Sequence, residues 1–279
     1  VMWGGVFATF APHLILKDNV GDYVCIGEGD DAIIEFCKKF HDGTSVDNTP
    51  NFWVKKNGNI IKNKMGGLAN LEDSPIPDYS LFPDHAIHRV MQGKVRRTIA
   101  LETQRGCTYA CTFCNSPGQV TLHKSDTGQM FARKRSIKKV REEIDFLHKK
   151  YNLGLIYMID DTFLAVSEKR FDELYEMYMD FKIPFWMNTR CETMTERRAE
   201  KLEEMNMLRM NFGIEHGNPE YRRNILKRTT SNERMISAFK MTSGKKYVTV
   251  GDLIIGMPEE NRKLVFDSIK FTRQLPKDV

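Results

Sequence analysis

The sequence predicts an α/β protein built around a parallel sheet, either open and doubly wound or closed as a barrel. Three observations predict it. From about residue 98, short apolar segments at 98–102, 155–159, 184–189, 208–214 and 248–255 alternate with stretches of helical periodicity. Each segment exits into polar or conformationally special residues: Gln104-Arg105-Gly106-Cys107, Asp160-Asp161, Arg190 with Glu192, Glu215, and Gly256. The first exit carries three cysteines, Cys107, Cys111 and Cys114, in a Cys-x3-Cys-x2-Cys run. Ligands of parallel α/β folds bind at the carboxyl ends of the strands, so the exits are expected to face a common cleft. A strand end is also polar simply because it enters a loop. That reading suits any one exit better than all of them together with the cysteines.

The elements follow in order. Val1-Met2-Trp3 reads as the end of a buried strand running into a turn at Gly4-Gly5. Because the chain opens without methionine and stops just after a helical stretch, it reads as part of a longer protein. Asp22-Tyr23-Val24-Cys25-Ile26 is a short β-rich run, and Gly27-Glu28-Gly29 leads into a helix with Ile33, Ile34, Phe36, Cys37 and Phe40. Asn57-Gly58 between Phe52-Trp53-Val54 and Ile60-Ile61 signals a hairpin, and Pro75, Pro77 and Pro83 punctuate an extended stretch, so 46–97 reads as a linker with a hairpin. Beyond it, Ser136 is placed to cap a helix whose apolar face is Ile137, Val140, Ile144 and Leu147. Ser167 does the same for Phe171, Leu174, Tyr178 and Phe181, and Thr195 and Ser231 are placed to cap two more.

Composition sets outer limits. With 279 residues and 41% hydrophobic content the chain can bury a large core. The net charge of +5 is spread over doublets such as Lys38-Lys39 and Lys138-Lys139 with acidic residues between them, which suits a solvated surface better than a nucleic-acid face. No run of 18 apolar residues and no signal peptide is visible, so a membrane span is not expected and a cytoplasmic location follows by default.

Three close thiols are one ligand short of a closed four-iron site, and a cubic 4Fe-4S cluster held by three of them keeps one iron free for substrate. Zinc needs a fourth ligand. His123, the nearest histidine downstream, lies in a segment that looks flexible, at a spacing that fits no common zinc pattern. A dithiol pair at Cys111 and Cys114 would need no Cys107. Cys25, Cys37 and Cys191 stand apart in apolar or strand-like contexts. His216, beside Glu215, is either a satisfied core histidine or a residue facing substrate.

These motifs resemble the radical SAM superfamily, in which three cysteines hold a 4Fe-4S cluster whose open iron chelates S-adenosylmethionine. Phe113 stands before the third cysteine, where the family places an aromatic near adenine. Glu215 in Gly213-Ile214-Glu215-His216-Gly217 matches the residue that reaches the ribose, and Arg228 falls where a basic residue meets the methionine carboxylate. Ile254-Ile255-Gly256-Met257-Pro258-Glu259 resembles the family's Gly-x-Ile-x-Gly-x-x-Glu segment, with Asp252 in place of its first glycine. Asp160-Asp161-Thr162-Phe163 departs from the Gly-Gly-Glu element of that place. The resemblance implies that Phe113, Glu215, Arg228, Ile254 and Gly256 position S-adenosylmethionine, with Asp160, Asp161 and Arg190 lining its cleft.

The segments around Gly4-Gly5, Asp22–Gly29 and Leu71–Tyr79 are similar to the cobalamin-dependent group of that superfamily, which includes methylases and the anaerobic magnesium-protoporphyrin monomethyl ester cyclase. This implies the tail end of a Rossmann-like cobalamin domain at 1–45, where Gly4 and Gly5 approach the cofactor's nucleotide tail. A linker at 46–97 and an incomplete (β/α)6 barrel at 98–279, lacking its sixth strand, complete the expectation. The implied activity is reductive cleavage of S-adenosylmethionine to a 5'-deoxyadenosyl radical, used with cobalamin for methyl transfer or cyclisation on an unactivated carbon of a small-molecule substrate. A flavodoxin or ferredoxin would donate the electron. Two alternatives stay open. A tRNA-modifying methylthiotransferase would carry a second cluster upstream, for which Cys25 and Cys37 are too few and too far apart. A non-enzymatic iron-sulfur or zinc-binding module is the other.

Overall fold

Strands that are buried on both faces read as unbroken apolar runs, whereas 185–189 and 207–215 alternate apolar with polar residues, so their sheet packs a core on one face only. The computed structural model describes residues 1–18 and 20–276 and divides into two units. One comprises 1–75 and 114–133, the other 76–113 and 134–279. The final three positions of the expected barrel range lie outside the described residues.

In the second unit a six-stranded sheet runs in the order Val248–Leu253, Met207–Glu215, Phe185–Thr189, Leu155–Met158, Lys94–Leu101, His88–Met91. The first five are parallel and lie in chain order, with helices Ile137–Tyr151, Glu168–Tyr178, Glu196–Glu204 and Asn232–Thr242 between successive strands. This is the curled α/β half-barrel that the alternation predicts. Each of these helices begins on a residue singled out as a cap. The side chains of Ser136, Ser167, Thr195 and Ser231 accept from the amides of Lys139, Arg170, Arg198 and Arg234. Their apolar faces meet one side of the sheet: Val140, Ile144, Phe171 and Leu174 share a core with Ile99, Leu101, Phe185, Met187, Met210 and Phe212.

The sixth strand, His88–Met91, is antiparallel to Lys94–Leu101 and was hidden in the proline-punctuated stretch. Gln92 and Gly93, at φ +50° and +72°, make its two-residue turn. Helix Arg262–Thr272 ends the described part of this unit.

The first unit holds a four-stranded sheet in the order Met2–Trp3, Tyr23–Cys25, Phe52–Lys56, Asn59–Lys62. The first pair is parallel and the others antiparallel, with Asn57-Gly58 (φ +50° and +80°) turning the anticipated hairpin. Helix Asp30–His41 follows the glycine turn as expected.

Three local expectations need correction. Strand Met2–Trp3 is exposed, because it is the edge of its sheet. The expected turn at Gly4-Gly5 is the start of a helix, Gly5–Phe10, for which Gly4 supplies the extended N-cap. His123 does not lie in a loose segment. It sits in helix Ser116–Thr127, 1% exposed, with its ring stacked on Phe131 at 4.9 Å and packed on the bare face of Gly27. Among the described residues no helix is long and apolar enough to cross a membrane.

Candidate active site

The exits of the parallel strands gather the predicted site residues, and the cysteine loop is fastened among them. After strand Lys94–Leu101 the chain is pinned by Asp160. Its Oδ1 accepts from the Thr103 amide (3.1 Å), the Thr103 hydroxyl (2.8 Å) and the Gln104 amide (2.7 Å). Gln104 donates from Nε2 to the Thr162 carbonyl at 2.9 Å. Asp160 therefore positions the lead-in to Cys107. Its carboxyl is 1% exposed, and burial pushes its pKa up to about 7 although three donors oppose that shift. Asp161, its neighbour, is exposed.

Cys107 is half-buried, with Sγ 3.7 Å from the Thr162 hydroxyl. Further on, the Thr112 amide and hydroxyl donate to the carbonyls of Leu226 (3.3 Å) and Ile225 (2.6 Å), which ties the loop to the segment after strand Met207–Glu215. Cys111 is buried, and Arg190 donates from Nη1 to its Sγ at 3.0 Å. The same guanidinium donates from Nε to Glu192 Oε1 at 2.5 Å and lies 3.8 Å over the Tyr109 ring. Burial is the largest single influence on the Glu192 carboxyl and raises it, but the Arg190 charge and the hydrogen bonds it accepts together outweigh burial and hold the group below its ordinary range. Phe113 is half-buried. Cys114, the first residue of the other unit's second segment, is exposed and accepts from the Ser116 amide at 3.5 Å.

Glu215 ends its strand in the left-handed region, at φ +65°, where the register with Val248–Leu253 shifts. Bulges of this kind re-aim a side chain, and a non-glycine residue held there marks a site whose geometry the surroundings enforce. The redirected carboxylate accepts from Arg228 Nη1 at 2.9 Å, while Arg228 Nη2 donates to the Gly213 carbonyl at 2.6 Å. Burial raises the Glu215 carboxyl and the Arg228 charge counters it. A Cβ at Gly213 would stand 2.4 Å from Glu215 Oε1, so a side chain there would displace the carboxylate from this position. Ile254 donates its amide to the Glu215 carbonyl at 3.0 Å, and Gly256, at φ +91°, donates its amide to Glu260 Oε2 at 2.5 Å.

Several predicted site residues are thus brought together: Cys111 with Arg190, and Glu215 with Arg228 and Ile254. His216 is fully buried, with Nδ1 accepting from the Asn218 amide at 3.0 Å and Nε2 standing 3.2 Å from Glu260 Oε1, which favours the core reading.

Sequence reasoning missed the polar face of the sheet. Tyr157 and Trp186 stack at 4.2 Å, Asn188 Nδ2 donates to the Tyr157 hydroxyl at 3.0 Å, Trp186 Nε1 donates to Asn211 Oδ1 at 3.1 Å, and Asn211 Nδ2 donates to Asp252 Oδ2 at 3.0 Å. These positions alternate with the core residues Phe185, Met187, Met210 and Phe212, so they occupy the opposite face from the helices. The signal was available in Phe185-Trp186-Met187-Asn188, whose period of two shows that one face is not packed on apolar neighbours.

The donor set suits a cluster. A guanidinium N–H aimed at a cysteine sulfur is the hydrogen bond a metal-bound thiolate takes. Among the described residues no three His, Cys, Asp or Glu side chains are gathered tightly enough to hold a single ion. A cubane spreads its thiolates over separate irons and asks for no such gathering. Two of the isolated thiols are of another kind: burial pushes Cys25 up to about 11 and Cys191 up to about 12, as for inert core cysteines, whereas Cys37 is exposed.

In the first unit, the carboxyl ends of the parallel strands Met2–Trp3 and Tyr23–Cys25 open into a cavity of about 470 Å³ lined by Trp3, Gly4, Gly5, Cys25, Gly27 and Gly29 among others.

Comparison with known proteins agrees with this layout. The Radical SAM superfamily profile matches residues 101–272. An uncharacterized methyltransferase of Pyrococcus horikoshii is 28% identical over 100% of this chain and 58% of its own length. Cytidylyl-2-hydroxyethylphosphonate methyltransferase of Streptomyces wedmorensis is 24% identical over 91% and 52%. The chain spans about half the length of the curated relatives it matches. Among solved structures, the cobalamin-dependent S-adenosylmethionine radical enzyme OxsB, with aqua-cobalamin and S-adenosylmethionine bound, superposes with a TM-score of 0.73 at 20% identity, over 100% of this chain and 40% of its own. The radical S-adenosylmethionine methyltransferase TsrM of Kitasatospora setae gives 0.69 at 15% identity over 98% and 53%, in a structure with cobalamin and a [4Fe-4S] cluster. At these identities the structural likeness speaks for the fold.

Proposed function

The chain belongs to the radical SAM superfamily, and from that premise we propose that it is the catalytic part of a cobalamin-dependent radical SAM methyltransferase. The observation that carries this reading is the fastening of the cysteine loop at the strand exits, with Arg190 on Cys111 and Asp160 holding the lead-in to Cys107. In this reading Cys107, Cys111 and Cys114 hold a 4Fe-4S cluster. When bound, the cluster supplies a low-potential electron that cleaves S-adenosylmethionine to a 5'-deoxyadenosyl radical, and cobalamin supplies a methyl carrier.

This chain's residues do the positioning. Glu215, aimed by its bulge, accepts from the ribose, and Arg228 meets the methionine carboxylate. Phe113, Ile254 and Gly256 border the adenine and Asp161 lines the cleft, while the buried Asp160 and Arg190 brace the cysteine loop beside it. A small-molecule substrate rests against the polar face that includes Tyr157, Trp186 and Asn211, away from the helices, so that one hydrogen is presented and water is kept out. Residues 1–45 are the end of the cobalamin domain and 98–279, apart from 114–133, the barrel. Within 46–97, strands Phe52–Lys56 and Asn59–Lys62 extend the first sheet and His88–Met91 the second, so that only the stretch between them serves as linker. The glycine-lined cavity at the ends of two parallel strands supports cobalamin there, since absent side chains at Gly4 and Gly5 let a nucleotide tail approach the backbone. The methyltransferases among the relatives favour methyl transfer over cyclisation. A flavodoxin or ferredoxin is the proposed electron donor.

The test is anaerobic turnover with S-adenosylmethionine and a low-potential reductant. The reading expects 5'-deoxyadenosine from the unmodified protein and its loss in Cys111→Ala. Retained production in that variant contradicts it.

A further inference from the structure

Arg190 was placed by sequence beside S-adenosylmethionine, but its guanidinium is already committed. It is 7% exposed, donates to Cys111 Sγ at 3.0 Å, pairs with Glu192 at 2.5 Å and stacks on Tyr109 at 3.8 Å. Three contacts in different directions fix a planar fork that would otherwise sample many rotamers. One of its N–H groups is thereby directed at a ligand sulfur from the strand exit next to the loop.

We propose that Arg190 is a positioning residue that sets the reduction potential of the cluster held by Cys111, with Glu192 as its counterweight. This rests on the cluster reading above. Reduction adds negative charge to a cluster and its thiolates, so a buried cation hydrogen-bonded to one sulfur favours the reduced state and raises the potential. A carboxylate 2.5 Å from that cation offsets part of the effect. The two side chains therefore have opposite signs. Removing Arg190's charge lowers the potential, and removing Glu192's charge raises it. A residue that merely props up the loop would give no such antisymmetry, and one that grips S-adenosylmethionine would change affinity and leave the potential alone.

The experiment is a redox titration of the anaerobically reconstituted protein followed by electron paramagnetic resonance, with iron counted and S-adenosylmethionine affinity measured in parallel. Arg190→Met should shift the midpoint downward at unchanged iron content, and Arg190→Lys should recover part of the shift, since it keeps the charge without the fork. Glu192→Gln should shift the midpoint upward. Should Arg190→Met fail to hold iron, Arg190→Lys and Glu192→Gln still decide by the direction of their shifts. Midpoints that do not move, or that move in the same direction in Arg190→Met and Glu192→Gln, overturn the proposal while leaving the cluster reading intact. Absence of a four-iron cluster in the unmodified protein overturns both.

Discussion

Replacing Asp160 by asparagine removes a buried charge while keeping the oxygen that Thr103 and Gln104 use. Asp160 Oδ1 takes all three donors, and Oδ2 is buried with no partner among the described residues. Burial pushes the carboxyl from 3.8 up to about 7, so the native state keeps this proton to higher pH than the unfolded chain does. A raised carboxyl contributes stability that is complete below the unfolded pKa and is lost as pH rises through the folded one. At about 1.4 kcal/mol per unit the whole effect is ~4 kcal/mol, of which roughly 3 kcal/mol develops between about pH 5 and pH 8. Asparagine does not titrate, so Asp160→Asn should gain about 3 kcal/mol on the unmodified protein over that interval. Urea unfolding followed by circular dichroism at several pH values measures it. Profiles that run parallel would show that Asp160 stays ionised in the folded protein and that the three donors outweigh burial.

Other substitutions test neighbouring parts of the account. Gly213→Ala places a methyl 2.4 Å from Glu215 Oε1 and 3.4 Å from Arg228 Nη1, so it should push that pair aside. S-adenosylmethionine affinity is expected to fall about tenfold or more, worth ~1.4 kcal/mol, with iron content unchanged. Equilibrium dialysis beside an iron assay checks this. Gly27→Ala meets two obstacles, a φ of +73° and the His123 ring 3.0 Å away, and the ring cannot retreat because it is buried against Phe131. A loss of about 1–3 kcal/mol in unfolding free energy is expected, read as a lower urea midpoint.

Much of the barrel is legible in the amino-acid sequence. Strands such as 155–159 and 184–189 stood out because short apolar runs rich in β-formers were separated by helical periodicity. The capping serines and threonines stood out because a side-chain oxygen before an apolar-periodic run has one obvious use. The edge strand His88–Met91 did not, since Gln92-Gly93 is a weaker turn signal than Asn57-Gly58 and prolines nearby suggested a linker. Helix Ser116–Thr127 was missed for a different reason: its apolar periodicity is poor, and it is held by burial of His123 and Gln119.

At the site, residue types were legible and partners were not. Aspartate at a strand exit reads equally as a ligand contact or as a brace, and only the Thr103 and Gln104 bonds show that Asp160 braces the cysteine lead-in. Likewise no spacing rule joins Arg190 to Cys111, 79 positions earlier, or announces that Glu215 turns through positive φ. Both depend on which strands are neighbours.

Iron and sulfide reconstitution of the protein under anaerobic conditions, with the electron paramagnetic resonance spectrum taken before and after adding S-adenosylmethionine, probes the cysteine loop most directly. The account predicts four irons per chain and a reduced-cluster signal that changes when the sulfonium compound is added, both abolished in Cys111→Ala. One zinc per chain, or a cluster spectrum indifferent to S-adenosylmethionine, would contradict it.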